Sequence, residues 1–130
     1  MKNFLLLDTC TFLWIVADAP ELTAKARAIF SDFNNQVYLS AVSVWEIAVK
    51  HALGKLPLPN TPDVFVREQR KLYYIDSLPL NEASTLHLHK LPQIHRDPFD
   101  RMLVCQAIEH DLIILTPDPM IKQYPVITIW

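Results

Sequence analysis

The segment Phe4-Leu5-Leu6-Leu7-Asp8 places a carboxylate directly after four apolar residues, and the expected fold follows from it. A short, continuous apolar run of this kind is typical of a buried strand. A second run, Leu112-Ile113-Ile114-Leu115, precedes Asp118 by a few residues. In an open parallel α/β sheet, ligands bind in the crevice beyond the carboxyl ends of the strands, so acids at these two places can converge.

Strands and helices are predicted to alternate along the chain. The pattern predicts strands over residues 4–7, 37–40, 73–75, 112–115 and 126–129. It predicts helices over residues 11–17, 22–33, 41–53, 62–71, 82–89, 98–110 and 119–123. Gly54, the only glycine, is expected to end the third of these helices. Strands separated by helices indicate βαβ units, and therefore an α/β fold with a parallel sheet covered on both faces.

The composition indicates one globular domain over residues 1–130. Hydrophobic residues make up 51% of the chain, which excludes a disordered protein. No apolar run approaches the roughly 20 residues that span a bilayer, and Asp8 interrupts the first run before a signal-peptide core could form. The two cysteines have no CxxC spacing, which suits a reducing compartment. We therefore expect a cytoplasmic protein without a membrane partner.

The formal net charge of −2 gives the chain no overall basic field. This argues against tight, non-specific DNA binding. It does not exclude a nuclease, because a bound divalent ion changes the sign of the local field. Lys50, Arg96 and Arg101 are the expected phosphate contacts, with simple salt bridges as the alternative.

Four acids form a candidate metal site: Asp8, Glu46, Asp100 and Asp118. Each lies at the end of a predicted strand or near the start of the helix that follows one. Carboxylates that lie together repel each other, and their pKa values rise unless a divalent cation neutralises them. The pattern therefore predicts a site for Mg²⁺ or Mn²⁺.

Asp100 is expected to face the core, because Leu103 and Val104 lie on the same side of the helix and Arg101 does not. A charge in that position needs a partner such as a metal ion or an arginine. The alternative is a capping box, in which Asp97 is the N-cap and Asp100 reaches back to the free amides. A ligand role is favoured for Asp100, and a cap for Asp97.

The other three acids also have structural alternatives. Glu46 can form an i,i+4 ion pair with Lys50. Asp118 stands between two prolines and can be the N-cap of a short helix. If Thr9 or a later threonine caps the helix that follows, Asp8 has no helix of its own to cap. A ligand role is therefore favoured for Asp8.

Other reactive residues give weaker patterns. Asp76, after the third predicted strand, is the one rival ligand among the remaining acids. His87 and His89 are two positions apart, which places them on different sides of a helix and argues against a zinc site. Cys105 is expected in the core. Cys10 has no histidine or asparagine within its motif to activate a thiol nucleophile.

Four segments stand in an order and spacing that covers nearly the whole chain: Leu6-Leu7-Asp8-Thr9-Cys10, Ser40-Ala41-Val42-Ser43-Val44-Trp45-Glu46-Ile47, His95-Arg96-Asp97-Pro98-Phe99-Asp100-Arg101-Met102-Leu103-Val104-Cys105-Gln106-Ala107, and Leu115-Thr116-Pro117-Asp118. They resemble the PIN-domain ribonucleases, and more narrowly the VapC-like toxins of type II toxin–antitoxin modules. The resemblance implies a PIN-like three-layer α/β/α sandwich with a five-stranded, mainly parallel sheet.

The resemblance also implies a function and a set of site residues. The function is Mg²⁺- or Mn²⁺-dependent hydrolysis of RNA that leaves 3′-hydroxyl and 5′-phosphate ends. Asp8, Glu46 and Asp100 match the family's core acids by position, and Asp118 matches the more variable fourth. Asp97 is implied as support or cap. Thr9 resembles the small hydroxyl residue that follows the first acid.

The implied partners are an RNA substrate, a cognate antitoxin whose tail covers the site, and usually a second copy of the chain in a homodimer. Two alternatives stay open. A phosphatase with an aspartyl nucleophile on the first strand would need a second Asp where this chain has Cys10. A PIN-derived interaction module would bind the metal ion without cutting RNA.

Overall fold

A five-stranded sheet forms the centre of the computed structural model, which describes residues 2–130. Its strands are β1 (Phe4–Leu7), β2 (Gln36–Ser40), β3 (Asp76–Leu78), β4 (Ile113–Leu115) and β5 (Thr128–Ile129). The order across the sheet is β3-β2-β1-β4-β5, and all four pairings are parallel. The strand order reverses beside β1, so the ligand crevice of this sheet is expected between the carboxyl ends of β1 and β4.

Six α-helices surround the sheet: α1 (Thr9–Ala17), α2 (Ala24–Ser31), α3 (Ala41–Ala52), α4 (Pro62–Leu72), α5 (Glu82–Thr85) and α6 (Pro98–His110), all within residues 2–130. Short 3₁₀ turns follow at Leu88–Lys90 and Ile121–Gln123. Among the described residues, no helix has the length and apolar character that crossing a bilayer requires.

The two faces of the sheet carry separate hydrophobic clusters. Side chains of a strand alternate between faces, so Leu5 and Leu7 pack against helices α1, α2 and α4 on one side. Leu6 and Ile114 pack against Leu103 and Val104 of α6 on the other. The predicted α/β fold, with helices on both faces of the sheet, is confirmed.

The prediction of a third strand over residues 73–75 is wrong. Tyr73 is the C-cap of α4, Tyr74 has a φ of 55°, and Ile75 donates its N–H to the carbonyl of Arg70. These residues therefore close the helix, and β3 begins only at Asp76. The reason for the error is that Tyr-Tyr-Ile has strand propensity, whereas β3 is a short edge strand with little apolar pattern.

Other boundaries differ from the predictions by smaller amounts. The first helix begins at Thr9 rather than residue 11. The predicted helix over residues 82–89 is α5 followed by a 3₁₀ turn, and the one over 119–123 is a 3₁₀ turn. The last strand is shorter than predicted.

Gly54 ends α3 as predicted. Its φ is 71°, a left-handed conformation that favours glycine. The N–H of Gly54 donates to the carbonyl of His51, and the N–H of Lys55 donates to the carbonyl of Lys50. This pair of bonds is a Schellman motif, which satisfies two carbonyl groups at the helix end.

Candidate metal centre

Asp8 connects the end of β1 to the start of α1 and is only 4% exposed. Its Oδ1 accepts the backbone N–H of Thr11 at 2.7 Å, so Asp8 is the N-cap of α1. Its Oδ2 accepts a hydrogen bond from the hydroxyl of Thr116, just beyond β4. The prediction that Asp8 has no helix of its own to cap is wrong, because α1 begins one residue after it. The two carboxylate oxygens are thus held by the first turn of α1 and by the residue that follows β4.

Glu46 lies in the second turn of α3 and is 5% exposed. Its Oε1 accepts a hydrogen bond from the hydroxyl of Thr9 at 2.7 Å. Its Oε2 accepts one from Lys50, which confirms the i,i+4 ion pair. The hydrogen bond that Lys50 donates to Glu46 raises the pKa of the Lys50 ammonium. The ion pair does not remove Glu46 from the candidate site, because Thr9 directs the same carboxylate toward the start of α1.

Asp100 lies in the first turn of α6, and Asp97 is the N-cap of that helix. One oxygen of Asp97 accepts the N–H groups of Phe99 and Asp100 at 2.9 and 3.1 Å, which confirms the predicted cap. The Asp100 carboxylate does not reach back to the helix end as a capping box requires. Its Oδ2 lies 3.1 Å from Nε2 of His95 instead.

Asp118 is half-buried in the turn after β4. Its backbone N–H donates to the hydroxyl of Thr116 at 3.1 Å, and its Oδ1 accepts the N–H of Met120 at 2.8 Å. Asp118 therefore orders the turn that precedes Ile121–Gln123, although the N-cap of that 3₁₀ turn is Met120 and not Asp118. Thr116 links this turn to Asp8, because the same hydroxyl donates to the Asp8 carboxylate.

The acids act on one another electrostatically. Burial, the largest cause, raises the pKa of Asp8, and the charge of Asp118 raises it further, against hydrogen bonds from Thr11 and Thr116. Burial likewise raises the pKa of Asp100 to about 6. The charges of Asp97, Asp118 and Asp8 add to this rise, whereas the hydrogen bond with His95 opposes it. The structure therefore brings Asp8, Asp100 and Asp118 into one electrostatic field.

Cys10 lies in the first turn of α1, where the charges of the acids also affect the pKa of its thiol. Partial burial raises the pKa of its thiol to about 11, and the charges of Asp8, Glu46 and Asp100 contribute to the rise. Glu46 thus belongs to the same cluster as the three aspartates. A thiol with so high a pKa is protonated near neutral pH, which is unfavourable for a nucleophile.

The donor chemistry of this cluster fits a hard divalent cation. Carboxylate oxygens are the ligands that Mg²⁺ and Mn²⁺ prefer. Burial raises the pKa values of Asp8 and Asp100, and the charges of neighbouring aspartates add to the rise, which a bound cation would oppose. As the side chains lie, however, no three His, Cys, Asp or Glu groups within residues 2–130 are close enough to hold an ion together. Binding would bring these acids closer together than they lie here.

The three expected phosphate-binding cations have different environments. Lys50 is half-exposed beside Glu46, and Arg96 is exposed. Arg101 is only 9% exposed, and its guanidinium donates to the carbonyls of Pro92 and His95 and to the hydroxyl of Tyr124. The structure does not support the expected phosphate contact at Arg101, because this side chain is buried and already bonded.

Asp76 is not a rival ligand. It is the first residue of the edge strand β3 and is in register with Tyr38 in the middle of β2, so it lies away from Asp8 at the carboxyl end of β1. Its carboxylate accepts a hydrogen bond from Gln36, the first residue of β2. Cys105 is fully buried, as predicted.

Sequence reasoning missed two residues that contact the acids. The hydroxyl of Thr116 donates to Asp8, a contact that only the tertiary structure shows. His95 contacts Asp100, five positions further along the chain. An aromatic pair also borders the cluster: Trp45, next to Glu46 and 57% exposed, packs its ring against Phe99 with centroids 4.9 Å apart.

Comparisons with known proteins identify the family to which the fold belongs. The family model described as "PIN domain" matches residues 5–127. The chain is 39% identical to Ribonuclease VapC16 of Mycobacterium tuberculosis over 72 residues, 52% of this chain and 51% of that protein. The matching region thus spans about half the length of that curated relative.

Two solved structures share the fold over nearly the full chain. VapBC2 from Rickettsia felis, bound to a DNA fragment from its promoter, has a TM-score of 0.74 at 13% identity and covers 98% of both chains. VapBC-1 from nontypeable Haemophilus influenzae has a TM-score of 0.65 at 18% identity, with 97% of this chain and 96% of that chain covered. These similarities confirm the predicted three-layer PIN-like fold.

Proposed function

The chain belongs to the PIN-domain family, and we propose that it is an endoribonuclease that hydrolyses RNA with a divalent ion, Mg²⁺ or Mn²⁺. The observation that supports the proposal is a set of contacts made by Asp8, Glu46, Asp100 and Asp118 or their chain neighbours. Thr9 bonds to Glu46, Thr116 bonds to Asp8, and the ring of Trp45 packs against Phe99. The four acids match the family by position. The 39% identity to a protein named as a ribonuclease supports the same reaction class.

The protein residues would hold and orient the acids. Thr11 and Thr116 fix the two oxygens of Asp8, and Thr9 and Lys50 fix those of Glu46. A divalent ion bound by such carboxylates lowers the pKa of a coordinated water and offsets charge on the attacked phosphate. The family resemblance implies products with 3′-hydroxyl and 5′-phosphate ends.

The substrate we propose is RNA with an unpaired stretch at the cut. Trp45 exposes a large aromatic surface next to Glu46, and Phe99 supports it from the residue before Asp100. Stacking of a base on an aromatic ring contributes about 1–3 kcal/mol and needs an unstacked base. Lys50 and Arg96 are the proposed phosphate contacts, since both keep exposed surface.

We further propose that the protein is the toxin of a type II toxin–antitoxin module and works as a homodimer in the cytoplasm. The support is the sequence resemblance to VapC-like toxins and the shared fold with the VapBC structures. A partner's tail could supply an arginine to the acids or a carboxylate to their bound ion. Such a partner would hold the nuclease inactive in its host.

The test is cleavage of purified total RNA by the full chain. We expect cleavage with added Mg²⁺ or Mn²⁺, none with EDTA, and none by Asp100→Asn. Glu68→Gln is the matched control, because Glu68 is exposed on α4 and belongs to no contact described above. Cleavage by Asp100→Asn at the wild-type rate contradicts the site. Mn²⁺ binding without any cleavage would favour the alternative of an interaction module.

A further inference from the structure

Behind Asp100 lies a buried polar chain formed by His95, Tyr124 and Arg101. Nε2 of His95 lies 3.1 Å from Oδ2 of Asp100, and its Nδ1 lies 2.8 Å from the hydroxyl oxygen of Tyr124. The guanidinium of Arg101 donates to the same tyrosine oxygen at 3.0 Å. Tyr124 is 3% exposed and belongs to the hydrophobic cluster beneath α6. This series of hydrogen bonds thus connects the core to Asp100 of the candidate site.

The hydrogen bonds determine which ring nitrogen of His95 carries the proton. Arg101 can only donate, so the Tyr124 oxygen accepts from it and keeps its own hydrogen to give away. The acceptor within reach of that hydrogen is Nδ1 of His95. A neutral imidazole that accepts at Nδ1 carries its proton on Nε2, which faces Asp100. The backbone N–H of His95 also donates to the Tyr124 oxygen, at 3.4 Å. With the proton on Nδ1, this oxygen would therefore meet three donors, and the tyrosine's own hydrogen would have no acceptor within residues 2–130.

Arg101 contacts both Tyr124 and the loop that carries His95. It also donates to the backbone carbonyls of Pro92 and His95, at 3.0 and 3.4 Å. Its guanidinium lies 5.8 Å from the centre of the Tyr124 ring. The loop that carries His95 is therefore tied to α6 and to Tyr124 at once, so the imidazole has a defined position relative to Asp100.

We propose that His95 and Tyr124 are positioning residues, which hold Oδ2 of Asp100 through the Nε2–H of His95 and leave Oδ1 to the divalent ion. This inference rests on the proposed function, since it takes Asp100 as an ion ligand. Within residues 2–130, Oδ1 of Asp100 takes part in no hydrogen bond. Groups that orient a metal ligand in this way typically change metal affinity by about 10- to 100-fold when they are removed.

The first test is Mn²⁺ affinity, measured by calorimetry on the full chain without RNA. We expect His95→Leu to weaken binding by about 10- to 100-fold. His95→Gln should stay within about threefold of wild type, because the glutamine amide can donate from the position of Nε2. Tyr124→Phe removes only the hydroxyl and should weaken binding, whereas Tyr73→Phe, a tyrosine that packs against Phe30, is the matched control.

Thermal unfolding of each variant separates positioning from loss of structure. A His95→Leu protein that unfolds at the wild-type temperature and binds Mn²⁺ as tightly as wild type overturns the proposal. If Asp100→Asn lowers Mn²⁺ affinity while His95→Leu does not, the positioning role of His95 is contradicted and the proposed metal site is supported. If Asp100→Asn leaves the affinity unchanged, the metal assignment fails and this proposal fails with it.

The second test needs neither metal nor catalysis. The ¹⁵N chemical shifts of the His95 ring in the intact protein distinguish a proton on Nε2 from one on Nδ1. We expect the Nε2–H form in the wild type and a shift toward a mixture of the two forms in Tyr124→Phe. A wild-type ring protonated on Nδ1 alone would contradict the proposed chain of hydrogen bonds.

Discussion

The hydroxyl of Thr9 donates to Oε1 of Glu46 at 2.7 Å, joining two buried residues that lie 37 positions apart in the chain. Thr9 is the first residue of α1 and directly follows Asp8, whereas Glu46 lies on α3. This hydrogen bond therefore holds Glu46 of α3 close to Asp8, which follows β1.

Thr9→Val should weaken Mn²⁺ binding by about tenfold, because Glu46 loses the donor that orients it. The change keeps the shape of the side chain but removes a buried hydrogen bond to a carboxylate, so unfolding should become easier by about 1–2 kcal/mol. Calorimetry and urea unfolding measure the two effects. Thr9→Ser keeps a hydroxyl and should recover most of the affinity. A valine variant with unchanged affinity would show that Thr9 does not orient Glu46 for metal binding.

Asp100→Asn should stabilise the folded protein at pH 7.5 in EDTA. In the folded chain burial raises the pKa of Asp100 to about 6, above its ordinary value of 3.8. The folded state then binds the proton more tightly than the unfolded state, so ionisation lowers stability as the pH rises through this window. The gain for the variant is on the order of 1–3 kcal/mol.

Thermal unfolding at several pH values checks this sign. The advantage of Asp100→Asn over wild type should shrink steadily as the pH falls from 7.5 toward 4, where the wild-type carboxyl is protonated in the folded chain. Glu68→Gln should show no such trend. An advantage that grew at lower pH would mean that the pKa of Asp100 is lowered rather than raised.

Asp97→Ala should destabilise the protein by about 1 kcal/mol, because the first turn of α6 loses its N-cap. Asp97→Ser keeps an oxygen for the free amides of Phe99 and Asp100 and should retain most of the stability and most of the RNA cleavage. Urea unfolding and the cleavage assay measure both. A serine variant that is stable but inactive would move Asp97 from a cap to a member of the metal site.

Gly54→Ala should destabilise the protein by about 1–2 kcal/mol, because an L-residue is strained at a φ of 71°. Steric crowding adds nothing, since a Cβ atom at this position would have no neighbour within 4 Å. Gly54→Asn should cost less, because asparagine tolerates the left-handed conformation better. Equal losses for the alanine and asparagine variants, measured by urea unfolding, would point to another cause.

Expression of the chain alone should slow bacterial growth if the protein is the proposed toxin. Asp8→Asn should remove the effect at matched soluble levels, because it removes a charge from the candidate metal site. Co-expression of the adjacent small gene should restore growth with the wild-type chain. Equal growth with the wild-type chain and Asp8→Asn would argue for a role other than a toxin.

The sequence by itself determined the class of fold and the ends of several elements. The apolar runs that became β1 and β4 predicted their strands, and Gly54 and Asp97 predicted helix ends, because a cap depends on residues within one turn. Asp8 and Asp118 could be placed beyond the carboxyl ends of strands for the same reason, since each follows a strand that the sequence predicted, whereas Glu46 and Asp100 lie within helices.

Tertiary structure alone decided how those acids are held. The bonds from Thr116 to Asp8 and from Tyr124 to His95 join segments that lie 108 and 29 positions apart, and no local pattern specifies them. The same holds for Arg101, whose burial depends on the path of the loop through Pro92 and His95. Helices, strands and their ends depend on backbone conformation and periodicity over a few residues. A site depends on which distant side chains the packed core brings within about 3 Å of each other.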